Sequence, residues 1–171
     1  MKNKVLNLKG YKLNNGLCQA LGKAFLLYHD LLEKLLLESV GADDQMLAAL
    51  LDGLKEQVNF KSVTYKKNSL GPLSVKALSV LINRTRPSNL DELRIINCKI
   101  STASSELLLE SIQGSQLRRL ALVKCHIDSQ LFEHIIALVE ESQSLKELDI
   151  SWNRLTPRDL GELFKVLASN R

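Results

Sequence analysis

Aromatic residues are scarce in this chain, 5% of 171 residues with a single tryptophan, so its core has to be built from aliphatic side chains. Cysteine is nearly absent. Cys18, Cys98 and Cys125 are odd in number and widely spaced, which excludes a disulfide framework and predicts a reducing, cytoplasmic setting. No apolar segment follows Met1-Lys2-Asn3-Lys4, so no signal peptide is expected. The leucine cluster from Leu31 to Leu37 is broken by Glu33 and Lys34, so neither a membrane span nor a membrane partner is expected. The net charge of +4 comes without a dense basic patch interleaved with aromatics, which argues against nucleic acid. There is no Walker-type or dinucleotide glycine motif, no C-x-x-C pair and no Ser/His/Asp or Cys/His set. These absences predict a protein with no enzyme activity, no cofactor, no metal and no small-molecule substrate.

What the chain does have is internal repetition. Leu90-Asp91-Glu92-Leu93-Arg94-Ile95-Ile96-Asn97-Cys98-Lys99-Ile100 fits L-x-x-L-x-L-x-x-N/C-x-L at every fixed position. The stretches Leu117 to Ile127 and Leu145 to Leu155 fit it again. Looser copies place Phe60, Val63, Tyr65, Asn68 and Leu70, then Leu32, Leu35, Leu37, Val40 and Ala42, in the same slots. A partial first copy uses Leu6, Leu8, Tyr11 and Leu13. The period is about 27 to 30 residues, long enough for a full α-helix after each strand. The alternating x-L-x-L-x part predicts a short strand. Helical spacing follows it, with Leu131, Ile135, Ile136 and Val139 on one face, and Leu160, Leu163, Phe164 and Leu167 on another. Thr156-Pro157-Arg158-Asp159 and Gly71-Pro72 read as helix starts, and Asp128 as an N-cap. Asn83 to Asn89 reads as a polar loop within the repeat phase. One strand and one helix cannot bury their apolar faces alone, whereas stacked units can.

On these residues the chain resembles the ribonuclease-inhibitor-like subfamily of leucine-rich repeat proteins. The resemblance implies an α/β solenoid, a horseshoe of about six repeats with a curved parallel sheet. It also implies protein recognition through the concave strand face. Asp149-Ile150-Ser151-Trp152-Asn153 resembles strand ends of large axonemal and cytoskeletal repeat proteins. The expected function is therefore a non-catalytic scaffold module, a structural subunit of a cytoskeletal or ciliary (axonemal) assembly with protein partners. The alternative is the regulatory or sensor region of an immune receptor, or an enzyme inhibitor. A GTPase-activating role would need an early-repeat arginine constellation that cannot be placed. Residues 1–171 read as one domain, expected to be a segment of a longer array or to have its ends covered by partners, because both ends resemble internal units rather than polar caps.

The candidate binding face consists of the outward strand positions. Leu36, Ile96, Val123 and Trp152 are apolar where a solvated strand would be polar. Lys66, Arg94, Arg119 and Asp149 supply charge of both signs, which suits a specific protein partner; a plain solvated surface is the competing reading. Trp152 either anchors a partner or folds over the corner of its own unit. Cys98 and Cys125 share a slot with Asn68 and Asn153, which predicts inward hydrogen bonding to the chain; grouped with His126 they would make a metal site, but no ligand-pair spacing supports it. Leu148 is expected to be a core residue whose truncation is costly.

Overall fold

The computed structural model describes residues 4–84 and 90–169. Most of the predicted polar loop, residues 85–89, lies outside the described residues. The order is β1 (Val5–Lys9), α1 (Asn15–Leu27), β2 (Lys34–Glu38), α2 (Asp44–Asp52), β3 (Ser62–Lys66), β4 (Ser69–Leu70), α3 (Pro72–Asn83), β5 (Glu92–Ile96), β6 (Lys99–Ile100), α4 (Thr102–Ile112), β7 (Arg119–Val123), α5 (Ser129–Glu141), β8 (Glu147–Asp149) and α6 (Pro157–Ser169). A 3₁₀ turn, Gly53–Glu56, continues α2. Strands β1, β2, β3, β5, β7 and β8 form one parallel sheet in that order, and β4 pairs with β6.

The strands add in constant register, so each fixed position of the repeat becomes a ladder across the sheet. Leu6, Leu35, Val63, Leu93, Leu120 and Leu148 are consecutive partners. So are Leu8, Leu37, Tyr65, Ile95 and Leu122. The middle members of both ladders are buried against Leu47, Leu50, Leu78, Leu108, Phe132 and Ile135 of the helices. The intervening residues face away from the helices, as the two-residue strand period demands.

Where two elements come closest, glycine permits it. A Cβ on Gly22 would lie 2.7 Å from the Ala49 carbonyl oxygen, so α1 and α2 meet backbone to backbone at a point only glycine leaves open.

Side chains from one unit complete the next. Asn68 accepts a hydrogen bond from the Val40 N–H at 3.0 Å and donates to the Leu37 and Lys66 carbonyls. Asn153 does the same one end of the stack further on. It accepts from Cys125 N–H at 2.9 Å and Ile127 N–H at 3.2 Å, and donates to Leu122 and Ile150. In the two units between, Cys125 donates its thiol to the Ile95 and Val123 carbonyls and Cys98 to that of Ile96. Gln57, fully buried, accepts from the Leu31 and Leu32 N–H groups and donates to Phe25 and Tyr28.

Helix starts fall where the sequence places them. Asp128 caps α5, and Thr156 and Asp159 exchange hydrogen bonds at the start of α6. At the start of α3 the N-cap residue, Gly71, has no side chain to offer, although its N–H donates to the Ser74 hydroxyl. Asp44, the first residue of α2, reaches across and accepts from the N–H groups of Gly71, Leu73 and Ser74 and from the Ser74 hydroxyl.

Three expectations need correction, all at the ends of the stack. Leu160, Phe164 and Leu167 of α6 do not share a buried face. They are exposed, and Leu163 alone of that set is buried. Leu148 is half-buried, not core. Tyr11 is exposed in the slot that Asn68 and Asn153 fill inwardly. Apolar slots are closed by the unit on either side, and among the described residues the first and last units have a neighbour on one side only.

Two predictions follow from this packing. Leu120→Ala should lower urea-unfolding stability by about 2–5 kcal/mol, and Leu148→Ala by clearly less; equal losses would contradict the assigned stack. The second concerns Asp44. Partial burial works to raise its carboxyl, but the hydrogen bonds from Ser74, Leu73 and Gly71 outweigh it and hold the group below the ordinary range. Its stabilisation is therefore present above the unfolded-chain value of about 3.9 and is lost as pH falls through the lower folded value. Asp44→Ala should cost about 0.5–2 kcal/mol at neutral pH, with the gap to the parent closing in acid; a pH-independent gap would exclude this role.

Candidate functional site

The sheet face away from the helices carries three rows of side chains. Val5, Lys34, Ser62, Glu92, Arg119 and Glu147 form one, and Asn7, Leu36, Thr64, Arg94, Ala121 and Asp149 the next. Lys9, Glu38, Lys66, Ile96 and Val123 form the third. The register brings Leu36, Lys66, Arg94, Ile96, Arg119, Val123 and Asp149 onto one surface. Leu36, Ile96 and Val123 are half-buried by their neighbours, and Ala121 is buried.

Much of the charge on this surface is satisfied within it. Lys66 lies 3.3 Å from Glu38, which also meets Lys9 and Lys67. Desolvation works to raise the Glu38 carboxyl, yet the hydrogen bond and charge of Lys66, helped by Lys9 and Lys67, hold it below the ordinary range. Arg119 pairs with Asp91 at 2.7 Å and with Glu92 at 3.7 Å, and Arg94 with Glu92 at 3.7 Å. Ser62 donates to the same glutamate. Exposed pairs of this kind contribute little stability singly, but together they fix the long side chains. Asp149 is different. Ser151 hydrogen bonds, with the Arg94 charge behind them, hold its carboxyl low, and among the described residues neither it nor Glu147 has a cation within ion-pair distance.

Trp152 stands at the edge of this face, 83% exposed. The indole does not fold over its own unit. Its backbone is left-handed, at φ 60°. The same step of the repeat is left-handed in every unit, at Gly10, Ser39, Lys67, Asn97 and Lys124, so the turn geometry imposes it. A left-handed residue with a Cβ costs about 1–2 kcal/mol, and a bulky one there is unusual. Sequence reasoning picked out Trp152 but could not see the strain.

Burial raises the Cys98 thiol, and pushes that of Cys125 up to about 11. Both remain protonated at neutral pH and serve as hydrogen-bond donors. Among the described residues no three His, Cys, Asp or Glu side chains gather as a metal site, and no helix is long and apolar enough to cross a membrane.

The arrangement defines an α/β leucine-rich-repeat-like fold with an open strand face. The Caenorhabditis elegans tropomodulin C-terminal domain is similar to it, with a TM-score of 0.66 and 14% identity over 90% of this chain and 92% of that one. A structure of leiomodin-1 actin-binding site 2 aligns less well, with a TM-score of 0.48 and 14% identity over 98% of this chain and 80% of that one. No protein-family model and no curated protein matches the sequence. The resemblance to the ribonuclease-inhibitor-like subfamily is thereby corrected: no match supports it, and the structural likeness is to the tropomodulin domain. The three motif matches report the geometry of a strand and its closing turn, which repeat proteins of several kinds share. They do not distinguish among them.

Asparagine tolerates a left-handed backbone better than tryptophan does. Trp152→Asn should leave stability unchanged or raise it by up to about 1 kcal/mol, read from thermal or urea unfolding. A clear loss would show that the indole packs structurally.

Proposed function

We propose that this chain is a non-catalytic protein-interaction module, a scaffold component of a cytoskeletal assembly, and that it presents its open sheet face and Trp152 to a protein partner. The observation that carries this reading is Trp152 itself. A large apolar side chain is held almost wholly in solvent on a strained backbone, where glycine, serine, asparagine or lysine serves the turn in the other units. Strain retained at an exposed position is characteristic of binding sites, and tryptophan is a frequent interface anchor. The paired charges of Lys66, Arg94 and Arg119 on the sheet face support the reading, because a pre-fixed surface loses less side-chain entropy on association. The cytoskeletal setting rests on the Asp149–Asn153 stretch and its likeness to cytoskeletal repeat units.

The test is cross-linking of the full chain in its native complex, with filamentous actin and microtubules as defined cytoskeletal probes in co-sedimentation. Contacts are expected at Ile96, Val123, Asp149 and Trp152, and Trp152→Ala should weaken capture at least about tenfold without loss of folding. Unchanged capture by the folded variant, or contacts confined to the helices, would overturn the proposal.

A further inference from the structure

The turns that close the strands carry a second pattern, one that the linear sequence disperses. The left-handed position contributes Lys67, Asn97, Lys124 and Trp152 from the third to the sixth unit. Two residues further on, the same units contribute Ser69, Lys99, His126 and Arg154. All eight are exposed. Lys67, Lys99, Lys124 and Arg154 stand about 25 to 32 residues apart in the chain, and constant strand register brings the turns that carry them to steps of about 5 Å. No basic run is visible in the sequence for this reason.

The rim they form is partly recessed. A groove of about 480 Å³ is lined by Lys67, Asn68, Ser69, Asn97, Lys99 and His126, among others. Lys67 makes a 3.8 Å contact with Glu38, which already holds Lys66. Among the described residues, Lys99, Lys124 and Arg154 have no carboxylate within 4 Å. The sheet-face cations Lys66, Arg94 and Arg119 are each paired. Among the described residues, Lys34 is the one cation of the sheet-face rows outside such pairs, whereas three cations of the rim are unpaired.

We infer that this rim binds an acidic, extended segment of a protein partner, with carboxylates laid along Lys67, Lys99, Lys124 and Arg154 and an apolar side chain against Trp152. The inference rests on the protein-interaction reading above and specifies the partner's chemistry. An extended chain places same-face side chains about 7 Å apart, a spacing that two staggered rows of cations can follow. The exposed Asn97 amide and Ser69 hydroxyl lie between the cations and suit the segment's peptide groups.

Trp152 is the sole tryptophan, so its emission reports occupancy. The probe is a synthetic peptide of alternating glutamate and serine that ends in leucine, titrated into the full chain. A saturable blue shift is expected, weakened by added salt. Lys99→Glu with Lys124→Glu should weaken binding at least about tenfold, while circular dichroism shows an unchanged fold. Lys99→Gln with Lys124→Gln should give a smaller loss in the same direction. No emission change up to about 1 mM peptide, no effect of the lysine variants, or tighter binding to single-stranded RNA or phosphatidylserine vesicles than to the peptide would overturn the inference. If Trp152→Ala abolishes partner capture while the folded double-glutamate variant captures normally, the interaction reading stands and the acidic-segment inference fails. If neither substitution matters, both fail.

Discussion

Closing each strand without leaving its last backbone groups unpaired is the constraint on which the rest of this structure depends. A polar side chain in the turn does much of this work, bonding its own turn and the one before it. Asn68 and Asn153 reach back to the unit before them and satisfy N–H and carbonyl groups there. A buried backbone group without a partner is costly, so the units are not independent. Adding a unit completes the one before it, and the sheet register stays constant because any slip would break both the ladder and these contacts.

The same dependence appears on the helical side. Asp44 caps a helix that is not its own, Asp159 accepts from Ser129 of the preceding unit, and Gln57 gathers the chain between the first helix and the second strand. At the ends it has the opposite consequence. Leu148, Leu160, Phe164 and Leu167 occupy the slots of core residues, yet among the described residues nothing closes over them. An apolar slot is buried by its surroundings and not by its identity.

The proposed interaction uses positions that this scaffold leaves free. The turn fixes a left-handed step in each unit whatever residue stands there, and in the sixth it holds an indole in solvent. The register pairs Lys66, Arg94 and Arg119 of the sheet face with acids and, among the described residues, leaves Lys99, Lys124 and Arg154 of the rim without them. The proposed recognition through Trp152 and the rim thus rests on the device that closes the strands.

The sequence by itself determined the strand positions, the period, the Asn/Cys slot and the caps at Asp128 and Thr156. Each of these is written in spacing within a few residues of one unit, where local geometry is the cause. It singled out Trp152 for its residue type. It could not determine subfamily, because its motif describes one turn common to many stacks. Only the tertiary structure decided which acid meets which cation, that Asp44 and Gln57 bridge units, that Trp152 is exposed, and that scattered lysines form one rim. Those outcomes depend on residues about thirty positions apart coming within one strand spacing of each other, and that distance is set by register and by the number of neighbours a unit has.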